Sequence, residues 1–150
     1  MVDRAGLEKV VRHVEDATAK GATVITGGVT LEGLIFAPTV LGNVTADMLL
    51  MREETFGPVA PIVSFDTEEE AITAANNTPF GLAAYIWTKD ISRAVRVAES
   101  LEYGIIGLND AVPSTVQAPF GGVKQSGYGR EGGHWGLDEY LFTKYISLGI

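Results

Sequence analysis

Cysteine is absent from the 150 residues of this chain, and histidine occurs only twice, as His13 and His134. The absence of cysteine excludes disulfide bonds, zinc sites built on thiolates and cysteine nucleophiles within the chain. The two histidines are far apart in sequence, and no spacing pattern of carboxylates accompanies either of them. The composition therefore predicts no metal site and no thiol chemistry.

Basic charge and long apolar runs are also scarce. The formal net charge of −8 disfavours nucleic-acid binding, because phosphates require a basic surface. Apolar stretches such as residues 104–108 are much shorter than the roughly 20 residues of a membrane helix. The first residues contain no apolar core of a signal peptide. We expect a cytoplasmic protein that binds neither nucleic acid nor membrane.

Helical and strand patterns alternate along the chain, whose hydrophobic content of 46% suits a globular core. Apolar residues at helical spacing predict an opening helix that ends near Lys20. A capping box at residues 67–70 and an N-cap at Asp90 predict two more helices. Strands are predicted at residues 22–25, 34–40, 59–65, 83–87 and 104–108. This order predicts an α/β fold with a mostly parallel sheet and flanking helices.

The last ten residues return to a strand pattern. Phe142, Ile146 and Leu148 share one face, and no helix follows to cover them. A terminal apolar strand of this kind needs a pairing partner. We therefore expect one domain at residues 1–140 and an oligomerisation strand at residues 141–150.

Residues 109–129 show neither helical nor strand periodicity and are rich in glycine, proline and serine. Long loops inside compact domains are often functional. Residues 127–132 fit the dinucleotide fingerprint G-x-G-x-x-G, but they follow a loop, and too little chain remains for a further β-α-β unit. We interpret this match as coincidental.

Two segments carry the functional hypothesis, and each also allows a purely structural interpretation. In residues 53–59, EETFGPV, Phe56 could be a core anchor and Glu54 a solvated turn residue; alternatively, the two side chains point to one side and hold a hydroxyl pair and a flat ring. In residues 118–131, APFGGVKQSGYGRE, the glycines could form a rigid turn packed on the sheet.

Taken together and in order, these segments resemble the aldehyde dehydrogenase superfamily. Residues 21–28, 77–83 and 104–109 also resemble that family, so the likeness covers essentially the whole chain. The resemblance implies the C-terminal part of the catalytic domain. Residues 112–117, VPSTVQ, and 138–145, DEYLFTKY, are similar to succinate-semialdehyde dehydrogenases in particular.

The resemblance also implies roles for four residues. Glu54 is similar to the glutamate that binds the nicotinamide ribose, and Phe56 to the phenylalanine packed beside the nicotinamide. Phe120 resembles the aromatic wall of the aldehyde pocket, and Ser114 the serine that helps bind the substrate's distal carboxylate. We expect these four side chains to converge on one pocket wall.

The resemblance implies NAD(P)-dependent oxidation of an aldehyde, with succinate semialdehyde as the expected substrate. In the family, the catalytic cysteine, the general base, the oxyanion-binding asparagine and the nucleotide-binding domain all precede the segment seen here. We therefore expect a fragment that is inactive alone and binds no NAD or NADP by itself. The choice between the two coenzymes cannot be read, because the residues that make it belong to the absent domain.

Two alternatives stay open. The chain could be a binding or regulatory module that associates with a full-length aldehyde dehydrogenase. It could also be a separate small enzyme that uses Glu54, Ser114 or His134, although no set of nucleophile, base and orienting residue supports this. In the family, the C-terminal strand extends the sheet of a neighbouring subunit, so we expect residues 142–148 to pair with another copy, near its residues 104–108, in a two-fold dimer.

Overall fold

The computed structural model describes all residues from Met1 to Ile150, which fold as two compact units, Met1–Phe65 and Asp66–Ile150. Helices and strands occur in both, which confirms the predicted α/β class. No helix has the length and apolar character to cross a membrane. The first unit contains α1 (Arg4–Ala19), β1 (Thr23–Thr26), β2 (Thr39–Gly42), a 3-10 turn (Leu49–Met51) and β3 (Val59–Pro61). The second contains α2 (Glu68–Asn76), β4 (Phe80–Gly81), β5 (Ala83–Ile86), α3 (Ile91–Ser100), β6 (Ile105–Leu108), β7 (Val123–Lys124) and α4 (Trp135–Asp138).

The core of the first unit forms on the apolar face of α1. The helix begins after Asp3, whose carboxylate accepts a hydrogen bond of 2.7 Å from the backbone N–H of Gly6. Its apolar stripe packs with buried residues of β2 and the following loops, and Leu41 and Met48 are fully buried there. The buried stripe comprises Leu7, Val10, Val14 and Ala17. The helix predicted from apolar spacing is confirmed.

The strand pairing differs from the predicted mostly parallel sheet. Three small sheets form instead, with strand orders β1-β2-β3, β4-β7 and β5-β6. The β2–β3 and β5–β6 pairs are parallel, whereas β1–β2 and β4–β7 are antiparallel. A parallel pair needs a long crossover, which α3 supplies between β5 and β6, while β1 and β2 are joined by a loop that allows the chain to reverse.

In the second unit the predicted helix starts are confirmed. The Thr67 hydroxyl accepts a hydrogen bond of 3.1 Å from the N–H of Glu70, and the Asp90 carboxylate accepts one of 3.1 Å from the N–H of Arg93. Glu68 joins the two helices through Arg93, at 3.0 Å, and Arg96. Local capping thus sets where α2 and α3 begin, and an ion-pair network connects them.

Residues 141–150 form no helix or strand and are exposed along their whole length. Phe142 is fully exposed, and Ile146 and Leu148 are largely so. The pairing of this tail with a second copy stays a prediction, as does its separation from residues 1–140 as an oligomerisation strand.

Truncating Leu41 tests the core of the first unit. Because the side chain is fully buried, Leu41→Ala should lower the free energy of unfolding of this unit by roughly 2–5 kcal/mol. Leu31, which is 53% exposed, provides the matched control, and Leu31→Ala should have little effect. Denaturant unfolding measures both; equal losses would contradict the assignment of the core.

The ion pairs of Glu68 predict a pH dependence of the second unit. Hydrogen bonds, above all from Arg96, hold the pKa of Glu68 below its ordinary value. A lowered folded-state pKa stabilises the fold above the ordinary carboxyl pKa and ceases to do so as the pH falls through the folded value. Glu68→Gln should therefore destabilise the unit at neutral pH, with the difference from wild type closing in acid.

Glu69→Gln provides the control for this pH series. Glu69 also lies in the first turn of α2 but forms no ion pair, so its substitution removes the same charge without the network. Thermal unfolding at several pH values compares the two variants. A Glu68→Gln difference that persists unchanged in acid, or is matched by Glu69→Gln, would argue against the network.

Candidate coenzyme- and aldehyde-binding site

Side-chain exposure alternates along residues 53–57. Glu53, Thr55 and Gly57 are partly buried, whereas Glu54 and Phe56 are exposed. Phe56 is 78% exposed, so its interpretation as a core anchor is wrong. The segment has an inner face turned to its own unit and an outer face that presents a carboxylate and an aromatic ring.

His13, in the middle of α1, binds the inner face. Its ring is fully buried, with Nδ1 at 2.6 Å from the hydroxyl oxygen of Thr55 and Nε2 at 3.2 Å from the carboxylate of Glu53. A carboxylate can only accept, so Nε2 carries a proton; the Thr55 hydroxyl donates to Nδ1 of a neutral ring and accepts from Nδ1 of an imidazolium. One imidazole thus engages the residues on both sides of Glu54.

Glu53 also interacts with two cations of α1. Its carboxylate lies 3.1 Å from the Arg12 guanidinium and 3.9 Å from the Lys9 ammonium. The hydrogen bond from His13, followed by the positive charge of Arg12, lowers the pKa of Glu53 against the opposing effect of burial. The carboxylate therefore stays ionised and keeps its contact with His13 at neutral pH.

Gly57 brings the end of this segment directly onto α1. A Cβ atom at position 57 would overlap a methyl group of Val10. Only glycine allows this close approach of backbone to helix. The inner face is therefore fixed at residues 53, 55 and 57.

The outer face is open and its carboxylate is unpaired. Glu54 makes no hydrogen bond or ion pair within the chain and borders a small cleft of about 220 Å³ with Leu50, Val59 and Pro61. Phe56 does not line this cleft. A free carboxylate beside an exposed ring can accept hydrogen bonds from a pair of hydroxyl groups and pack against a flat heterocycle.

In the second unit, Phe120 lies on the wall of a larger cleft. Reciprocal backbone hydrogen bonds of 2.7 Å pair Phe120 with Glu131 and fix its position. The ring is 37% exposed and borders an open cleft of about 670 Å³. Tyr128 and Tyr140 line the same cleft, together with glycines and the charged side chains of Arg130 and Glu139.

Two cations of the glycine-rich segment have structural partners. The Lys124 ammonium donates to the carbonyl of Asn76, at the end of α2, at 2.8 Å and pairs with Glu102 at 2.7 Å. The Arg130 guanidinium donates to the carbonyls of Gly122 and Gly129, at 2.8 and 2.7 Å. Lys124 and Arg130 thus fix the glycine-rich segment at two positions, which agrees with its interpretation as a rigid turn.

Close backbone packing adds to this rigidity. A Cβ atom at Gly104 would overlap the carbonyl oxygen of Gly121. The fingerprint-like residues 127–132 lie between the two-residue β7 and the four-residue α4, and no strand follows α4. The segment is therefore not the phosphate-binding turn of a β-α-β unit.

Ser114 lies in the exposed loop before Phe120. Its side chain has no hydrogen-bond partner within the chain, and it does not line the larger cleft. Glu54 and Phe56 belong to the first unit, whereas Ser114 and Phe120 belong to the second. The convergence of all four on one pocket stays a prediction.

Sequence reasoning missed the roles of His13 and Thr55. The sequence pattern could have identified His13 as a buried polar residue. It falls on the same helix face as Val10, Val14 and Ala17 and is the one titratable group in that apolar stripe. A buried polar side chain needs a hydrogen-bonding partner. The sequence gives no means of finding that partner, which lies 42 residues away.

Comparison with known proteins identifies relatives over almost the whole chain. The profile of the aldehyde dehydrogenase family matches residues 1–146. The mitochondrial succinate-semialdehyde dehydrogenase of Oryza sativa subsp. japonica is 56% identical over 99% of this chain. The chain spans only 29% of the length of that rice protein.

Solved structures agree with this assignment. An aldehyde dehydrogenase from Brucella melitensis biovar abortus 2308 is 58% identical, with a TM-score of 0.94 over 97% of this chain and 30% of its own. Betaine aldehyde dehydrogenase from Staphylococcus aureus, solved in complex with NAD+, is 43% identical, with a TM-score of 0.91 over the same shares. The chain belongs to the aldehyde dehydrogenase family.

Proposed function

We propose that this chain forms the C-terminal part of the catalytic domain of an NAD(P)-dependent aldehyde dehydrogenase that oxidises succinate semialdehyde to succinate. The overall reaction consumes the aldehyde, water and the oxidised coenzyme and yields the carboxylic acid, the reduced coenzyme and a proton. The similarity to the rice succinate-semialdehyde dehydrogenase supports the choice of substrate. The bound coenzyme supplies the hydride acceptor, and this chain supplies binding groups.

The exposed outer face of residues 53–57 is the main structural support for this function. Glu54 is an exposed carboxylate without a partner, and Phe56 exposes 78% of its surface although such a ring is costly to leave in water. These groups fit the nicotinamide end of the coenzyme, whose ribose carries two hydroxyl donors and whose ring is flat. Glu54 accepts hydrogen bonds from the ribose, and Phe56 packs beside the nicotinamide.

The aldehyde is bound by residues of the second unit. Phe120 forms an aromatic wall that excludes water from the aldehyde, and the Ser114 hydroxyl donates a hydrogen bond to its distal carboxylate. The rigid turn around Phe120 suits this role, because a fixed wall positions a small substrate without losing conformational freedom on binding. The Ser114 hydroxyl is exposed and has no hydrogen-bond partner within the chain, so it is free to donate to a substrate.

This chain contains no nucleophile for the reaction. The absence of cysteine leaves no thiolate to attack the aldehyde, so the reacting groups must come from other parts of the enzyme. The exposed apolar side chains Phe142, Ile146 and Leu148 fit a strand that pairs with a second copy of the enzyme in a two-fold assembly. By itself the chain is inactive and binds neither NAD nor NADP.

A chimera tests the proposed placement and reaction. The chain replaces the matching segment of the rice enzyme, to which it is 56% identical. We expect the chimera to oxidise succinate semialdehyde with formation of reduced coenzyme, followed by absorbance, and the isolated chain to be inactive. A folded chimera without activity, or an active isolated chain, would contradict the proposal. Association of the isolated chain with intact rice enzyme, together with an inactive chimera, would favour a regulatory module.

Substitutions in the chimera separate the two binding roles. Glu54→Gln should raise the KM for coenzyme by about tenfold or more, the range of one hydrogen bond to a charged group. Ser114→Ala should raise the KM for succinate semialdehyde and leave that for coenzyme unchanged. Glu15→Gln removes an exposed, unpaired glutamate of α1 and serves as the control. Equal coenzyme KM values for Glu54→Gln and Glu15→Gln would remove the support for Glu54.

A further inference from the structure

The fully buried His13 has no part in the proposed binding groups, yet it contacts the residues on either side of one of them. Its two nitrogens engage Thr55 at 2.6 Å and Glu53 at 3.2 Å, and Glu54 lies between these residues. A buried imidazole that serves only packing would be replaced at lower cost by an apolar residue, because polar groups lose hydration on burial. The two hydrogen bonds of His13 therefore point to a role beyond packing.

These hydrogen bonds hold residues 53–57 in one orientation. Exposure alternates along this segment, so a rotation or slip by one residue would turn Thr55 outward and Glu54 toward α1. The Glu53 and Thr55 contacts prevent this change, and the close approach of Gly57 to Val10 fixes the far end.

We propose that His13 is a positioning residue for the coenzyme, acting through Thr55 and Glu53 to hold Glu54 and Phe56 on the outer face. The inference rests on the proposed coenzyme role of Glu54. His13 itself is fully buried, so its ring lies out of reach of a ligand on the outer face. Its effect is on orientation: because the segment is held before the coenzyme binds, little ordering is needed on binding.

The hydrogen-bonding pattern makes the proposal specific to one hydroxyl group. Glu53 accepts from Nε2, and Nδ1 lies 2.6 Å from the Thr55 hydroxyl, which can donate to the ring or accept from it. Thr55→Ser keeps this hydroxyl, whereas Thr55→Val keeps the shape and removes it. A structural role in packing alone predicts the opposite order, because valine preserves the branched side chain and serine does not.

The experiment uses the active chimera with Thr55→Val, Thr55→Ser and Thr39→Val. Thr39 is also buried in the first unit and hydrogen-bonds through its hydroxyl, to the N–H of Gly28 and the carbonyl of Ala37, each at 2.8 Å. Thr39→Val is therefore a control for the general cost of losing a buried hydroxyl. KM for coenzyme, KM for aldehyde and thermal stability are measured for each variant.

We expect Thr55→Val to raise the KM for coenzyme about three- to tenfold, the range that one neutral hydrogen bond carries, with the KM for aldehyde unchanged. Thr55→Ser should restore the wild-type value, and Thr39→Val should lower stability without changing the KM for coenzyme. If Thr55→Val does not fold, His13→Gln is compared with Thr39→Val by the same readout.

Two results would overturn the proposal. Equal rises in coenzyme KM for Thr55→Val and Thr39→Val would assign the effect to general destabilisation. An unchanged KM in Thr55→Val, with the expected rise in Glu54→Gln, would reject the positioning role while leaving the proposed function intact. An unchanged KM in Glu54→Gln would instead reject the proposed coenzyme role itself.

Discussion

Two hydrogen bonds, one between His13 and the Thr55 hydroxyl and one from His13 to the Glu53 carboxylate, are the contacts that hold residues 53–57 against α1. One rigid ring, supported by the packing of α1, reaches two alternate residues of a segment that has no regular secondary structure of its own. Backbone hydrogen bonds of a helix or sheet would normally fix such a segment. Here two backbone hydrogen bonds, from the N–H of Glu53 to Leu49 and from the N–H of Gly57 to Thr55, are joined by side-chain contacts from α1, and the outer residues are left free to bind.

The charges around this contact reinforce it. His13 donates a hydrogen bond to Glu53, and the cations Arg12 and Lys9 of the same helix lie close to its carboxylate; together they hold the pKa of Glu53 below its ordinary value. Surface ion pairs with one exposed partner contribute little stability by themselves. Here they keep Glu53 ionised, so that it accepts from Nε2 of His13 and leaves Nδ1 for the Thr55 hydroxyl.

The second unit achieves rigidity by other means. Lys124 and Arg130 donate to backbone carbonyls, and Gly104 admits the backbone of Gly121 where a side chain would collide. These contacts and the short β7 hold the glycine-rich segment in place. Phe120 projects from this loop with its backbone paired to Glu131, which explains how a glycine-rich segment can present a fixed aromatic wall.

The parts of the fold that depend on neighbouring residues in sequence could be predicted, and the parts that depend on distant ones could not. Thr67 and Asp90 were recognisable as helix caps because a cap and the N–H that it binds lie three residues apart. The direction of strand pairing was not, since β4 pairs with β7 across more than one intervening element. In the same way, motif likeness pointed to Glu54 and Phe56, but nothing near His13 in sequence indicates Thr55 or Glu53.

A crystal structure of the chimera with bound NAD+ would show directly whether residues 53–57 hold the coenzyme. We expect the Glu54 carboxylate to lie within hydrogen-bonding distance of the nicotinamide ribose hydroxyls and Phe56 to pack beside the ring. We also expect His13 to keep its contacts with Thr55 and Glu53, at the present distances of 2.6 and 3.2 Å. A bound coenzyme that is out of reach of Glu54, or a His13 that has released Thr55, would contradict this role of the segment.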